Sequence, residues 1–404
     1  MLSVAEARSR ILAGFATLSA EQVALPAALG RVLAEDVRAR VTQPPFAVSA
    51  MDGYAVRAAD VAKVPVRLKV ASYAQAGGEI APRLVPGEAA RIFTGAPLPE
   101  GADAIVIQED TEAGVGEVLV KQSARTGNYV RAAGLDFREG DLGIAAGKRL
   151  NARDIGLAAS MNHAWLRVRR RPRVAVMPTG DEIVMPGDPR RPQQIVSSNG
   201  LALAAFLARA GAEPIDLGIA PDNREARQRL AAGAAGADLL VTSGGASVGD
   251  HDLVRAALGE RGMAVDFWKI AMRPGKPVMF GRIGAVPVLG LPGNPVSSLV
   301  CAAIFLRPVL RRMLGEPDLG DETETAVAGR DLAENDSRQD YLRSRLARGP
   351  DGALEATPFE VQDSSMMRPL ASSDCLVIRP PHAPAAMAGS QVPIILFPGG
   401  AWPL

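Results

Sequence analysis

The segment Leu239-Leu-Val-Thr-Ser-Gly-Gly-Ala-Ser-Val-Gly-Asp-His-Asp252 combines an apolar run, a turn of small residues and the start of a helical pattern. A second apolar run, at 286–289, leads into a similar turn, Gly290-Leu-Pro-Gly-Asn-Pro295. Glycines let the backbone come close to a bound group, and the first turn of a helix presents free N–H donors. Both turns are therefore candidate sites for a phosphate or another oxyanion.

The same alternation of strand, turn and helix repeats from residue 173 to about residue 314. It predicts a mainly parallel sheet covered by helices on both faces, whose ligands bind beyond the carboxyl ends of the strands. Both turns lie at that end. The predicted strands are 174–177, 214–219, 239–242, 265–268, 277–280 and 286–289. The predicted helices are 200–209, 222–232, 252–258 and a long helix that starts at Pro295, is capped by Asn294 and runs to residue 314.

Changes in periodicity divide the chain into four predicted domains. Helical and extended segments at 1–45 and 146–172 form a discontinuous N-terminal linking domain, with a capping box at Ser3 and Glu6 and a helix cap at Asn151. Short alternating runs between Gly and Pro turns predict a β-rich inserted domain at 46–145 and a C-terminal β domain at 319–404. The central α/β domain takes 173–318. The predicted fold class is thus a multidomain α/β protein around a doubly wound α/β domain.

Composition excludes several classes of protein. The 404 residues include 45 Lys+Arg and 44 Asp+Glu, and a net charge of +1 gives no support for nucleic-acid binding. Two cysteines and three histidines cannot make a disulfide framework or a His-built metal centre, so any metal should be a hard cation held by carboxylates. We see no signal peptide and no apolar run of membrane length, and expect a cytoplasmic protein without a membrane partner.

Lysine is scarce in this chain, which is rich in arginine. Only six lysines occur, and two of them, Lys269 and Lys276, flank Arg273 in one short basic segment between the two turns. A lysine kept there is best explained as a compact charge for an oxyanion, the alternative being a solvated strand.

Carboxylates recur at the same predicted sheet edge, at Asp181, Glu182, Asp222 and Asp252. Two or three such ligands with a substrate phosphate would form a Mg²⁺ site, whereas each acid alone could equally cap a helix. Three further segments, at 49–56, 92–97 and 134–141, are tight turns to which the residues alone assign no chemistry.

Taken together, these segments resemble the molybdopterin molybdenumtransferase family of the MoeA type, which is related to the E domain of gephyrin. The resemblance covers essentially the whole chain and follows the order of the family's motifs. It is carried by SAMDGYA at 49–55, FTGA at 93–96, TGDE at 179–182, SGGASVGD at 243–250, RPGKP at 273–277 and LPGNP at 291–295.

The resemblance implies a central domain of the molybdopterin-binding type and a reaction. Molybdenum from molybdate would be inserted into adenylylated molybdopterin, with hydrolysis of the adenylate, release of AMP and Mg²⁺ as the divalent ion. It also implies a homodimer whose active site lies between the α/β domain of one subunit and the Met51 region of the other. Transient contacts with the adenylyltransferase and with molybdoenzymes are further implied partners. The alternatives are a molybdopterin adenylyltransferase and a non-catalytic, gephyrin-like scaffold.

The site residues implied by the resemblance fall into three sets. The catalytic set is Asp52, Thr94, Asp136, Glu182, Asp222, Asp252, Lys269 and Lys276. The substrate-binding set is Gly244, Gly245, Ser247, Arg273, Pro292, Pro295, Ser297, Arg343 and Ser364. The metal set is Glu182, Asp222 and Asp252. Ser364 is adjacent to Ser365, and the motif does not separate the two.

Overall fold

The computed structural model describes residues 1–221, 223, 232–244, 265–317, 323–349 and 352–397. The chain forms two compact units, one of Gln22–Val168 and the other of Met1–Glu21 with Arg169–Leu404. The chain begins with helix α1 (Val4–Ala13), and the Ser3 side chain caps it by accepting the Glu6 N–H at 3.1 Å.

Short strands are the main regular secondary structure of the unit Gln22–Val168. Strands β4 to β9 form a six-stranded sheet in the order β7-β4-β6-β5-β9-β8, in which only β5 and β6 run parallel. Two smaller antiparallel pairs are β3 with β10 and β2 with β11. The strands within and at the ends of this unit are β1 (Ala20–Ala24), β2 (Val37–Arg38), β3 (Val48–Ser49), β4 (Gly53–Val56), β5 (Val66–Ala74), β6 (Glu88–Ile92), β7 (Ala104–Ile107), β8 (Thr111–Ala113), β9 (Glu117–Val120), β10 (Val130–Arg131), β11 (Leu142–Ile144) and β12 (Trp165–Arg169).

One α-helix, α2 (Ala152–Ser160), belongs to this unit. Asn151 accepts the N–H groups of Arg153 and Asp154, and the Asp154 carboxylate accepts the Asn151 N–H at 3.0 Å. The predicted helix cap at Asn151 is therefore confirmed, as a reciprocal capping box.

The other unit contains the α/β sheet, in the order β16-β13-β17-β21-β20-β18. β16, β13, β17 and β21 are parallel neighbours, whereas β20 pairs antiparallel with both β21 and β18. The sheet is therefore mainly parallel, as predicted. The β20–β21 pair is antiparallel because only two residues join these strands, too few for a crossover. The strands of this region are β13 (Arg173–Pro178), β14 (Ile183–Val184), β15 (Ile195–Val196), β16 (Glu213–Asp216), β17 (Leu239–Ser243), β18 (Val265–Lys269), β19 (Met272–Arg273), β20 (Pro277–Ile283) and β21 (Val286–Leu291).

Both faces of this sheet are buried, as the doubly wound prediction requires. Along β13, Val174 and Val176 enter one core while Ala175 and Met177 enter another. Helix α3 (Asn199–Arg209) contributes Leu203 to the first core. Of the other predicted helices, 222–232 lies almost wholly and 252–258 wholly outside the described residues.

The long predicted helix after β21 exists and starts at Pro295, but it contains a π-helical turn. It consists of α4 (Pro295–Cys301), a π-helical turn (Ala302–Leu306) and α5 (Arg307–Met313). Pro295 occupies the first helical position, as predicted. Asn294 occupies the N-cap position, as predicted, but its side chain makes no capping hydrogen bond and instead donates to Ser364 Oγ at 2.8 Å.

The C-terminal strands close into a ring. β23 pairs with both β24 and β25, and β22 and β26 complete the circuit β23-β24-β22-β26-β25. Closure removes free strand edges within the ring. β19 adds to the outside of β23 in parallel. The elements here are β22 (Glu324–Ala328), β23 (Gln339–Arg348), β24 (Leu354–Pro358), helix α6 (Met367–Ala371), β25 (Cys375–Arg379) and β26 (Gln391–Leu396).

Candidate active site

Three turns meet at the carboxyl edge of the α/β sheet because the strands before them are parallel neighbours. Thr179, just after β13, donates its N–H to Ser243 O at 2.9 Å, and Gly244 donates to Leu291 O at 3.2 Å. Gly244 has a φ of +95°, and a Cβ there would lie 2.6 Å from Thr179 O. The turn therefore requires glycine, and it brings the two predicted anion-binding turns side by side.

One side chain that the sequence pattern did not identify connects these turns by hydrogen bonds. Asn199, at the start of α3, donates from Nδ2 to Ser243 Oγ at 2.8 Å and to Gly293 O at 2.7 Å. Ser243 Oγ in turn donates to Pro292 O at 3.2 Å. A single amide thus holds the turn after β17 against the turn after β21. The only signal in the sequence is an asparagine at the predicted start of a helix that follows a strand.

Ser297 and Ser364 approach the same edge from different elements. Ser297 lies in the first turn of α4 and is 5% exposed. Ser364 O accepts the Val296 N–H at 3.1 Å, and its Oγ accepts from Asn294. Ser365 instead donates to its own neighbour Asp363 at 2.6 Å. The contacts with the start of α4 therefore belong to Ser364.

Arg343, on β23, is almost completely buried, with 1% of its surface exposed. It donates from Nε to Gln362 Oε1 at 3.2 Å and from Nη1 to Met366 O at 3.2 Å. Burial of this guanidinium lowers its pKa from the usual value, and the Asp363 charge opposes that change. Arg343 and Gln362 hold the loop that carries Ser364.

The basic segment contains two exposed lysines and an engaged arginine. Lys269 and Lys276 are exposed, and neither forms an ion pair with an acid in the described part of the chain. Arg273 is paired with Asp340 and lies 3.4 Å from Asp336. The structure therefore does not leave three equivalent cations in this segment.

The predicted metal ligands are only partly within the described ranges. Glu182 is exposed, and its carboxylate folds back over Gly180, where a Cβ would overlap it. Asp222, Asp252 and the substrate-binding Gly245 and Ser247 lie outside the described residues. Within those residues, no group of three or more His, Cys, Asp or Glu side chains is placed to hold a metal ion.

The unit Gln22–Val168 carries the three remaining predicted residues. Asp52 Oδ1 accepts the Thr94 N–H at 2.7 Å and the Thr94 hydroxyl at 2.8 Å. These two hydrogen bonds, the backbone one first, lower the pKa of the Asp52 carboxyl below its usual value, with a smaller contribution from Arg91. Asp136 is exposed and donates its N–H to Gln43 O at 3.0 Å.

Comparisons with known proteins cover nearly the whole chain. Family models match at residues 2–162 (MoeA N-terminal region, domain I and II), 175–312 (probable molybdopterin binding domain) and 325–397 (MoeA C-terminal region, domain IV). Molybdopterin molybdenumtransferase 2 of Mycobacterium tuberculosis is 38% identical, over 92% of this chain and 94% of the relative. The chain belongs to the MoeA family.

Two other MoeA relatives give the same result over greater coverage. Molybdopterin molybdenumtransferase of Haemophilus influenzae is 34% identical, over 98% of this chain and 99% of the relative. The crystal structure of the molybdopterin biosynthesis MoeA protein from Pyrococcus horikosii superposes with a TM-score of 0.85 at 34% identity. It covers 99% of this chain and 100% of that chain. Among the helices that the structure describes, none has the length and hydropathy needed to cross a bilayer.

The MoeA motifs thus supply the turns at the sheet edge, while several side chains that hold neighbouring segments in place lie outside the motifs. Asn199, Gln362 and Asp340 are of the second kind, and so is Arg91 in the β-rich unit. Arg91 donates to Gly53 O at 2.9 Å, and its guanidinium lies over the rings of Tyr54 and Phe93.

Proposed function

We propose that this chain is a molybdopterin molybdenumtransferase of molybdenum cofactor biosynthesis, inserting molybdenum from molybdate into adenylylated molybdopterin with release of AMP. The observation that supports it most is the meeting of the Ser243–Gly244 and Pro292–Gly293 turns under Asn199. It occurs in a chain 38% identical, over 92% of its length, to a protein of that name. The position of the turns matches the place where ligands of such sheets bind.

The chemistry of the edge suits two anionic substrates. Molybdate is a tetrahedral dianion, which the exposed Lys276 and Lys269 can attract and the hydroxyls of Ser297 and Ser364 can orient. The adenylate brings a phosphoanhydride, which the backbone N–H groups of glycine turns can accommodate. The substrate carries its own dithiolene sulfurs, so the two buried cysteines, Cys301 and Cys375, need no part in the reaction.

Mg²⁺ belongs to this proposal with Glu182, Asp222 and Asp252 as candidate ligands. The exposed Glu182 carboxylate is the type of oxygen ligand that Mg²⁺ binds. Bound there, the ion would neutralise phosphate charge before AMP leaves.

Several expectations from the sequence stay predictions within this proposal. They are the four domain boundaries, the homodimer, the transient partners, the cytoplasmic location and the contributions of Asp52, Thr94 and Asp136. The substrate-binding positions Gly244, Gly245, Ser247, Pro292, Pro295 and Arg343 also stay predictions.

The test is AMP release from adenylylated molybdopterin by the full-length protein with Mg²⁺, with and without molybdate. We expect release that depends on molybdate. Lys276→Gln should raise the molybdate KM about tenfold or more, since hydrogen bonds to charged groups contribute about 1.5–3 kcal/mol. Lys121→Gln, an exposed lysine paired with Glu112 in the other unit, is the matched control and should leave KM unchanged. Retention of the nucleotide without release would instead support a scaffold, and ATP consumption with molybdopterin alone would support an adenylyltransferase.

A further inference from the structure

The basic segment is attached to the C-terminal ring by strand pairing. Met272 and Arg273 form β19, which runs parallel to β23 with Arg273 opposite Asp340. Gln339 donates its N–H to Ala271 O at 2.9 Å, and Met272 is fully buried. The position of the segment is therefore set by its register on β23.

The N–H donors of the Arg273 guanidinium contact residues of β23 and of the loop before β23. Nε donates to Asp340 Oδ2 at 3.0 Å, and Nη2 also contacts Asp340. Nη1 lies 3.4 Å from Asp336 Oδ2, and Nη2 lies 3.4 Å from Asn335 Oδ1. Asp340 thus pairs directly with the guanidinium, and Asp336 adds a longer contact while it pairs with Arg338 at 2.7 Å. Their negative charge offsets part of the field that Arg273 could offer to a dianion.

Asp340 is more deeply buried than Arg273, so loss of the ion pair costs the Asp340 carboxylate more. The Asp340 side chain is 6% exposed, and the Arg273 side chain is 48% exposed. The second carboxylate oxygen of Asp340, Oδ1, is buried and makes no hydrogen bond within the described part of the chain. Removing Arg273 would therefore leave a buried carboxylate without its hydrogen-bonded counter-charge, with the charge of Arg338 remaining nearby, and this loss is destabilising.

Lys276 differs from Arg273 although it lies only three residues away. Ile270 donates its N–H to Lys276 O at 3.1 Å, which closes the turn on itself. Gly275 has a φ of +113°, and a Cβ there would overlap the buried Cys301 sulfur. The backbone before Lys276 is thus fixed, whereas its exposed ammonium has no acidic partner in the described part of the chain.

We propose that Arg273 is a positioning residue, whose ion pair with Asp340 fixes the 270–276 turn on β23 so that Lys276 meets the oxyanion. This assignment rests on the proposed function for the identity of the oxyanion. It replaces the expectation that Arg273 itself binds molybdate. Arginine suits the positioning role because its planar fork reaches one carboxylate with two donors.

A double-mutant cycle on unfolding tests the ion pair without any substrate. The variants are Arg273→Gln, Asp340→Asn and the double variant, each compared by thermal unfolding of the full chain. Arg273→Gln should lower the Tm most, and adding Asp340→Asn should recover much of the loss by removing the unpaired carboxylate. If the double variant is no more stable than Arg273→Gln, the pair does not hold the turn and the proposal is wrong. The unfolding measurement uses no substrate. Failure of the positioning role of Arg273 can therefore be distinguished from failure of the proposed transferase activity.

The molybdate KM for AMP release then separates positioning from direct binding. We expect Arg273→Gln and Asp340→Asn to raise KM in the same direction and by similar factors. Lys276→Gln should raise it at least as much while leaving the Tm within about 1 °C of wild type, as a surface substitution does. If Arg273 binds the anion directly, Asp340→Asn frees its charge, and KM should fall or stay unchanged while Arg273→Gln raises it. That pattern would overturn the proposal.

Discussion

Two regions are positioned by different features of their sheets: the carboxyl edge of the α/β sheet by strand order, and the Asp52 turn of the β-rich unit by strand register. At the sheet edge, parallel strands β13, β17 and β21 end side by side, so the turns after them meet wherever the sheet forms. Asp52 and Thr94 meet because β4 pairs with β6 in an antiparallel register that puts Gly53 opposite Ile92. Contacts set by strand order can be predicted from alternation, whereas contacts set by register need the exact pairing.

The strongest test of the sheet edge is Gly244→Ala. An alanine at φ +95° is strained, and its Cβ would lie 2.6 Å from Thr179 O, so we expect a loss of about 3 kcal/mol or more in the free energy of unfolding. Gly293→Ala is the control, because a Cβ there would meet Gly244 Cα only at 3.4 Å. Denaturant unfolding measures both. Equal losses would show that the edge does not depend on the close approach at Gly244.

A smaller effect is expected for Asn199→Ala. The substitution removes the hydrogen bonds to Ser243 Oγ and Gly293 O, and we expect a loss of about 1–3 kcal/mol because two hydrogen bonds are lost. AMP release should fall by more than stability alone explains, since the two turns would separate. Asn128→Ala, which removes one hydrogen bond to Ile105 O in the other unit, should destabilise less and leave release unchanged. Unchanged AMP release by a folded Asn199→Ala variant would mean that the reaction does not require the hydrogen bonds that connect the two turns.

Much of the fold, but only part of the candidate site, could be predicted from the sequence. The parallel strands and the glycine turns follow from local pattern, so the sheet edge was predicted with its glycines. The contacts of Arg273 with Asp340 and of Arg343 with Gln362 were not predicted, because the partners are 67 and 19 residues apart. The first contact needs β19 to pair with β23, and the second needs the loop after β24 to fold back on β23. Asn294 shows the same limit: its type suits a helix cap, but Ser364 competes for its side chain.

In the β-rich unit, Arg91→Met tests whether register alone holds the Asp52 turn. Arg91 links the turn to β6 through Gly53 O and to Gln108 Oε1, both at 2.9 Å, and it stacks on two rings. We expect a loss of about 1–2 kcal/mol in unfolding free energy, from one to two hydrogen bonds and the ring contacts. Arg91→Lys keeps the charge over the rings and should lose less. Identical losses would assign the effect to the hydrogen bonds alone.

The smallest effect concerns the Asp52 carboxyl itself, and it is read by NMR titration. Because the folded pKa lies below the usual value, this group stabilises the fold above its unfolded pKa, and that contribution is lost as pH falls through the folded pKa. Thr94→Val removes the hydroxyl donor but keeps the backbone N–H, which is the larger cause of the shift. The Asp52 pKa should therefore rise only part of the way to its usual value, while Thr94→Ser should leave it low. A full return to the usual value in Thr94→Val would mean that the backbone N–H has moved away, and that the hydroxyl, rather than the β4–β6 register, places Thr94 against Asp52.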